Sequence, residues 1–368
     1  MYIMKTLTTE TYKTTRRAVT DPHFSVLMFS CGKTSDIWTD ENIPDLSGRR
    51  VLVTGSNRGL GFATVLALAR AGCEVVMTAR TQERGDVAAD KIRAAVPGAQ
   101  LVVMKLDLSS LDSVRALAKR IIAECDGLNA IINNAGIAKT DKFARIETGD
   151  GLELVWQTNF YGPFLLTNLL MDLLVKTASA SPNLPSRVVM ISSVTHAHAR
   201  NNIDPSVGLD RIGLKAKKSK KSYEYPATKL ADLMFAMTLH RKIESNDNFR
   251  GKVLSICAHP GFSSTDMTGG LGAISNALFG MEPSQGCLSQ VRACVDPEVG
   301  SGEYIGPEPN TLQTHILGPL LLSSTSPVHE LYGYPTRNAT QSDYSKDERI
   351  GDELWAAAEE ATGAVFEI

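Results

Sequence analysis

Residues 51–61, Val-Leu-Val-Thr-Gly-Ser-Asn-Arg-Gly-Leu-Gly, limit what this chain can become more than any other stretch. A β-branched apolar run stops at Gly55-x3-Gly59-x-Gly61, and Phe62, Val65, Leu66 and Ala69 then recur at helical spacing. Strand, tight turn and helix in that order form a phosphate-binding unit. Glycines let backbone approach a diphosphate closely, and the first turn of a helix presents unpaired N–H groups to its charge. The spacing is not the common G-x-G-x-x-G. Taken alone, such a cluster would also suit any tight strand-to-helix turn.

The rest of the chain repeats the pattern. Apolar strand candidates lie at 50–54, 74–78, 101–105, 129–133, 187–191 and 252–257, with helical periodicity between them and one long stretch from about 148 to 177. Alternating strands and helices predict a doubly wound parallel sheet with helices on both faces. The strands are mostly apolar, as burial on both faces requires. Ser109 or Ser110 can cap the helix that runs to Cys125, and Gly72 and Gly98 punctuate element ends. Beyond 257 the order loosens: Gly302–Gly306 reads as a last strand and 307–345 as loop. Ser345-Lys-Asp-Glu348 reads as a capping box for a helix carrying Ile350, Leu354 and Ala358 and ending at Gly363. The expected organisation is a partly disordered extension over 1–46, one α/β domain over 47–310, and a C-terminal loop and helix over 311–368 packed on that domain.

Composition excludes several classes. A net charge of −2 gives no field for nucleic acid or a membrane surface. The longest apolar stretch, Phe164 to Val175, holds Asn168 and Asp172 and is too short for a membrane span. Six cysteines without a C-x-x-C pair read as reduced core residues of a cytoplasmic protein. The first 46 residues lack the apolar run of a secretory signal. Arg16-Arg17 and few acidic residues leave an organelle transit peptide open beside a plain extension. Asn338-Ala-Thr340 fits a glycosylation triplet, which carries no meaning without secretion. His196 and His198 have no third ligand at metal spacing, so no metal is expected.

Further motifs follow the glycine turn in order: Asn133-Asn-Ala-Gly136, Asn159, Ser193, Tyr225-x3-Lys229 and Pro260-Gly261. With Thr54–Gly61 they resemble the short-chain dehydrogenase/reductase family over roughly residues 47 to 310. Val189–His196, Thr228–Ala231 and His259–Gly261 resemble its retinol dehydrogenase-like branch. The resemblance implies a Rossmann-type fold and a nicotinamide cofactor. Gly55, Ser56, Asn57, Arg58, Gly59, Leu60 and Gly61 would then hold the diphosphate. Asp107 would meet the adenine amino group and Leu108 would lie beside the ring, while Asn134, with Ala135 and Gly136, would border the adenosine ribose. Pro260 and Gly261 lead to Ser263 and Thr265, which would bond the carboxamide; most relatives carry an aliphatic residue where Ser263 stands. The second strand ends Val75-Val-Met-Thr-Ala-Arg80, and no Asp or Glu occupies 77–82 to accept from a ribose 2′-OH. Arg80 and Arg58 instead suit a 2′-phosphate, so the expected cofactor is NADP(H).

Tyr225 and Lys229 stand four apart on a helical pattern and share a face. A phenol is a poor base at neutral pH, and an adjacent ammonium favours its phenolate form. The expected chemistry is carbonyl–alcohol interconversion on an apolar or aromatic small molecule, with Tyr225 as acid/base and Lys229 as its partner. By resemblance, Ser193 rather than Ser192 anchors the substrate oxygen, and Asn159 holds a water that links Lys229 to solvent. A regulatory or scaffold protein that binds NADPH without catalysis is the alternative, though all four catalytic positions are filled. A light-driven reductase shares Tyr-x3-Lys but not the Ser193 match. From Ser193 to Tyr225 the chain advances 32 positions, more than in the retinol dehydrogenases. The insert carries Lys215, Lys217, Lys218, Lys220 and Lys221, either as a solvated loop or as a basic rim for an acidic substrate or membrane surface. Relatives often assemble, so a homo-oligomer is possible.

Overall fold

The computed structural model describes residues 37–138, 146–199, 224–261, 263, 281–307, 335–336, 339 and 341–368. Residues 38–368 form one compact unit. Eight strands make a single sheet: β1 (Arg50–Val53), β2 (Glu74–Ala79), β3 (Leu101–Lys105), β4 (Ala130–Asn133), β5 (Ser186–Ile191), β6 (Val253–Ala258), β7 (Tyr304–Pro307) and β8 (Pro335–Thr336). Their spatial order is β3-β2-β1-β4-β5-β6-β7-β8. The first seven run parallel, and β8 pairs antiparallel with β7 at the edge.

Strand alternation sorts the core into two layers. Leu52, Val76, Ile131, Val188 and Met190 pack on one face of the sheet. There they meet α3 (Leu111–Glu124), α4 (Gly162–Ala180), α5 (Glu224–Glu244) and α7 (Glu348–Thr362). Val51, Val53, Val75, Met77, Ile132 and Val189 pack on the other, against α1 (Gly59–Arg70), α2 (Gln82–Ala95) and α6 (Leu288–Val295). Trp38 and Leu46 are buried in this second layer, and the Leu46 N–H donates to the Ala71 carbonyl at 2.8 Å. The chain reverses strand order between β1 and β4, so the crevice at their carboxyl ends is where a doubly wound sheet places ligands.

Three local readings differ from the sequence expectation. The long stretch expected from 148 begins as a turn; its helical part starts as Leu154–Trp156, widens to a π turn at Gln157–Tyr161 and continues as α4. Pro163 explains the widening. It has no N–H to give the Asn159 carbonyl four residues back, and its ring crowds that position. The Gly162 N–H reaches instead to the Gln157 carbonyl, five residues back. The second difference is the start of α7. Asp347 is its cap, accepting from the Ile350 N–H at 3.2 Å, while Ser345 sits in a preceding 3-10 turn and donates to the Ser342 carbonyl. An acceptor one residue before the helix competes better than a hydroxyl two residues further out. The third is β8, a two-residue strand inside a span read as loop.

Cys73, Cys125, Cys257, Cys287 and Cys294 are free and buried; Cys31 lies outside the described residues. Burial raises all five thiols above the usual cysteine range, to about 12 for Cys287 and Cys294. Because the thiolate is the reactive form, a disulfide-exchange reagent should titrate six thiols in denaturant and no more than one quickly in the folded protein. Fast reaction of two or more thiols in the fold would contradict this packing.

Candidate active site

The crevice is a cleft of about 770 Å³, and the glycine turn forms its floor. Gly55 and Gly59 take left-handed backbone, with φ +62° and +57°. At Gly61 the constraint is space: a Cβ would lie 2.5 Å from the Gly55 carbonyl oxygen and 2.5 Å from Asn134 Nδ2. Only hydrogen fits, so the turn closes tightly on itself and on Asn134. Ser56 is fully buried. Its Oγ accepts from the Thr78 N–H at 2.9 Å, which staples the turn to β2. Asn134 Nδ2 donates to the Thr54 carbonyl at 2.8 Å and Ala135 N–H to Thr54 Oγ1 at 2.9 Å, so the ends of β4 and β1 are tied together. Gln290 on α6 donates to Asn134 Oδ1 at 3.1 Å and also reaches Thr64 Oγ1 on α1, bracing the turn from behind.

One end of the cleft is basic. Arg58 and Arg80 line it, joined by Arg84 and Lys91 from α2. Glu83 lines it too, but bonds to its own backbone N–H and to the Thr81 side chain hold its carboxyl below the usual range as part of the α2 cap. Asp107 follows β3, and one of its carboxylate oxygens accepts from the Ser109 N–H at 3.0 Å and hydroxyl at 2.6 Å. Leu108 is buried between this rim and the core.

The other end gathers Ser193, Tyr225 and Lys229. Lys229 is buried, with its Nζ donating to the Ile191 carbonyl at 2.7 Å and to Asp232 Oδ2 at 2.8 Å. The same Nζ lies 5.8 Å from the Tyr225 ring centre. Burial alone would pull the Lys229 pKa down, but the Asp232 charge, with Tyr225 alongside, holds it above the ordinary lysine value. Burial pushes the Asp232 carboxyl up to about 6, against the pull of Lys229. Ser192 is buried and commits its hydroxyl to the Lys229 carbonyl at 2.7 Å. Ser193 lines the cleft, accepting from the Thr195 N–H at 3.2 Å. Asn159, in the π turn, exchanges two hydrogen bonds with the Ile137 backbone (2.8 and 3.0 Å) and donates to Thr228 Oγ1 at 3.0 Å. A Cβ on Gly136 would sit 3.4 Å from Asn159 Oδ1 and 3.5 Å from Lys229 Nζ, so these two groups border the same small opening.

Pro260, Gly261 and Ser263 close this end, with Ser263 Oγ donating to the Pro260 carbonyl at 2.9 Å. Thr265 and the lysine-rich insert at 215–221 lie outside the described residues. Sequence reading missed Arg84, Lys91, Gln290 and Asp232. Helical spacing carries a signal for two of them, since Arg84 and Lys91 stand seven apart on one face of α2. Asp232 stands three residues after Lys229. Nothing local marks Gln290, which reaches the turn through tertiary packing. Among the described residues, no group of three or more His, Cys, Asp or Glu side chains could hold a metal ion, and no helix is long and apolar enough to cross a membrane.

Comparison with known proteins gives the same lineage. The profile of the short chain dehydrogenase family matches residues 49–203. The short-chain dehydrogenase/reductase drtF of Aspergillus calidoustus is 31% identical over 72% of this chain and 86% of its own length. Human retinol dehydrogenase 14 is 34% identical over 71% of this chain and 79% of its own length. Among solved structures, an uncharacterized protein from Mycobacterium paratuberculosis superposes with a TM-score of 0.68 at 27% identity, covering 90% of this chain and all of that one. Pseudomonas aeruginosa RhlG, solved as an NADP active-site complex, has the same fold (TM-score 0.53, 24% identity, 70% of this chain and 94% of that one). The chain is an oxidoreductase of the short-chain dehydrogenase/reductase family, of the retinol dehydrogenase-like kind.

Proposed function

We propose that this protein interconverts a carbonyl and an alcohol with NADP(H), using Tyr225 as the acid/base. The observation that carries the reading is the buried Lys229 ammonium, pinned to Ile191 and Asp232 beside the Tyr225 ring, in the cleft floored by the glycine turn. The cradle fits a dinucleotide: without a side chain Gly61 packs tightly on Gly55, Ser56 and Asn134, which holds the turn in the close bend that lets its backbone meet a diphosphate. Gly55–Gly61 would hold that diphosphate. Asp107, Leu108 and Asn134 would border the adenosine, and Lys229 the nicotinamide ribose. Bound there, the nicotinamide supplies or takes up the hydride. Tyr225 gives its proton to the carbonyl oxygen in reduction and takes it back in oxidation, and the Lys229 charge stabilises the phenolate between turnovers. The Ser193 hydroxyl holds the substrate oxygen against Tyr225. Asn159, which borders the same opening as Lys229, would align the route by which that proton is replaced from solvent.

Leu154, Ile137 and Val194 line the substrate side, which supports an apolar or aromatic aldehyde, ketone or alcohol, as do relatives named retinol dehydrogenases. Following NADPH absorbance across a panel of such aldehydes and ketones tests the proposal, and the absence of turnover with every carbonyl would reject it.

Four cations at the adenosine end support NADP(H) over NAD(H), as does the RhlG complex. A charge-assisted hydrogen bond contributes about 1.5–3 kcal/mol, so NADPH should bind at least about tenfold more tightly than NADH. Arg58→Ala combined with Arg80→Ala should remove most of that difference by weakening NADPH alone. Equal affinities in the parent protein would overturn the preference.

A further inference from the structure

We propose that Asp232 is a positioning residue, which keeps Lys229 charged within the core and fixes the direction of its one remaining N–H. The ammonium has three hydrogens. One goes to the Ile191 carbonyl at 2.7 Å and one to Asp232 Oδ2 at 2.8 Å. The third is left to face the opening beside Gly136, where a Cβ would lie 3.5 Å from Nζ. Side-chain exposures of 5% for Lys229 and 1% for Asp232 bury the pair almost completely, with Lys229 reaching only the edge of the cleft.

Folding alone does not account for the carboxylate. Its second oxygen, Oδ1, is buried with no hydrogen-bond partner among the described residues, a costly arrangement that an apolar residue of similar size would avoid. What the carboxylate supplies is charge. The titratable groups facing the pair are Tyr225 on α5 and Cys257 on β6. Burial keeps the Cys257 thiol neutral, so Asp232 is the group that offsets the lysine. Without it, burial acts on Lys229 unopposed, and the ammonium sheds its proton at lower pH. Asp232 thereby extends the alkaline range over which Lys229 can serve Tyr225.

The test compares Asp232→Asn with the parent protein between pH 7 and pH 10, a window that lies above the Asp232 titration at about 6. In the parent, Lys229 titrates above the ordinary lysine value in the fold, so its contribution to stability stays flat through this window. In the variant its folded value falls below the unfolded one. The unfolded chain then binds more protons, and relative stability rises with pH. The melting temperature of the nucleotide-free variant should therefore lie below the parent's at pH 7, with the gap narrowing by about half or more at pH 10. The kinetic arm rests on the oxidoreductase reading: kcat/KM for alcohol oxidation should fall about tenfold relative to the parent between pH 7 and 10. A pH-independent melting gap, or a constant rate ratio, overturns the proposal. Should Asp232→Asn fail to fold, Lys229→Met combined with Asp232→Asn removes both charges and must restore a cooperative melt; failure there overturns the proposal too. Inactivity of the parent toward every carbonyl would reject the reaction instead, and the melting arm would still decide the pair.

Discussion

Tyr225→Phe is expected to lower turnover about 10³-fold, equivalent to about 4 kcal/mol of barrier, while leaving the NADPH dissociation constant within about threefold of the parent value. The phenyl ring keeps the shape that packs beside Lys229 and loses only the hydroxyl. Nothing that ties the glycine turn together passes through that hydroxyl: Thr54, Ser56, Thr78, Asn134 and Gln290 do this work at the other end of the cleft. A split between rate and binding is the expected signature. Steady-state assays beside fluorescence titration with NADPH would read it. Loss of binding in parallel with activity would give Tyr225 a structural role and return the chain to the regulatory alternative. Retained turnover would remove the phenol from the chemistry altogether.

Gly61→Ala is the second large effect. Its Cβ would sit 2.5 Å from the Gly55 carbonyl oxygen and 2.9 Å from Ser56 Cα, both backbone. Neither atom can swing aside as a side-chain tip would, so the turn itself must open. Overpacking of this kind costs about 1–3 kcal/mol of stability. An opened turn also no longer presents its N–H groups together, and NADPH affinity should fall about 100-fold. Gly149→Ala serves as a control, since its Cβ would meet nothing within 4 Å and the residue is exposed. Should Gly61→Ala bind NADPH as the parent does, close backbone approach is not what this turn provides.

Much of this architecture is legible in the chain itself. Strands 50–54, 74–78, 101–105 and 187–191 lie within a residue of those observed, because doubly buried strands are apolar runs closed by glycines and polar turns. The cleft residues Gly55, Asn57–Gly61, Asn134, Ser193, Tyr225 and Lys229 converge because each sits at or just beyond a strand's carboxyl end, or on the helix that crosses there; Ser56, expected with them, is buried behind the turn on Thr78. Effects that act across the helix or the sheet escape that reading. The π turn at Gln157–Tyr161 arises from a proline after the segment it distorts. Asp347 displaces Ser345 as the cap through a difference of two residues in where the last helix begins. Gln290 reaches the glycine turn from 156 positions beyond Asn134, a distance no local pattern spans.

The aromatic packing beneath α5 ties Trp355 and Phe366 to one end of the cleft. Trp355 and Phe366 stack at 4.9 Å and press on Phe164 and on Phe235, which shares a helix with Tyr225 and Lys229. The helix that follows the glycine turn rests against the opposite side of the sheet. Phe366→Ala, which opens this packing, should therefore disturb the end of the cleft that holds Tyr225 and Lys229 before the end formed by the glycine turn.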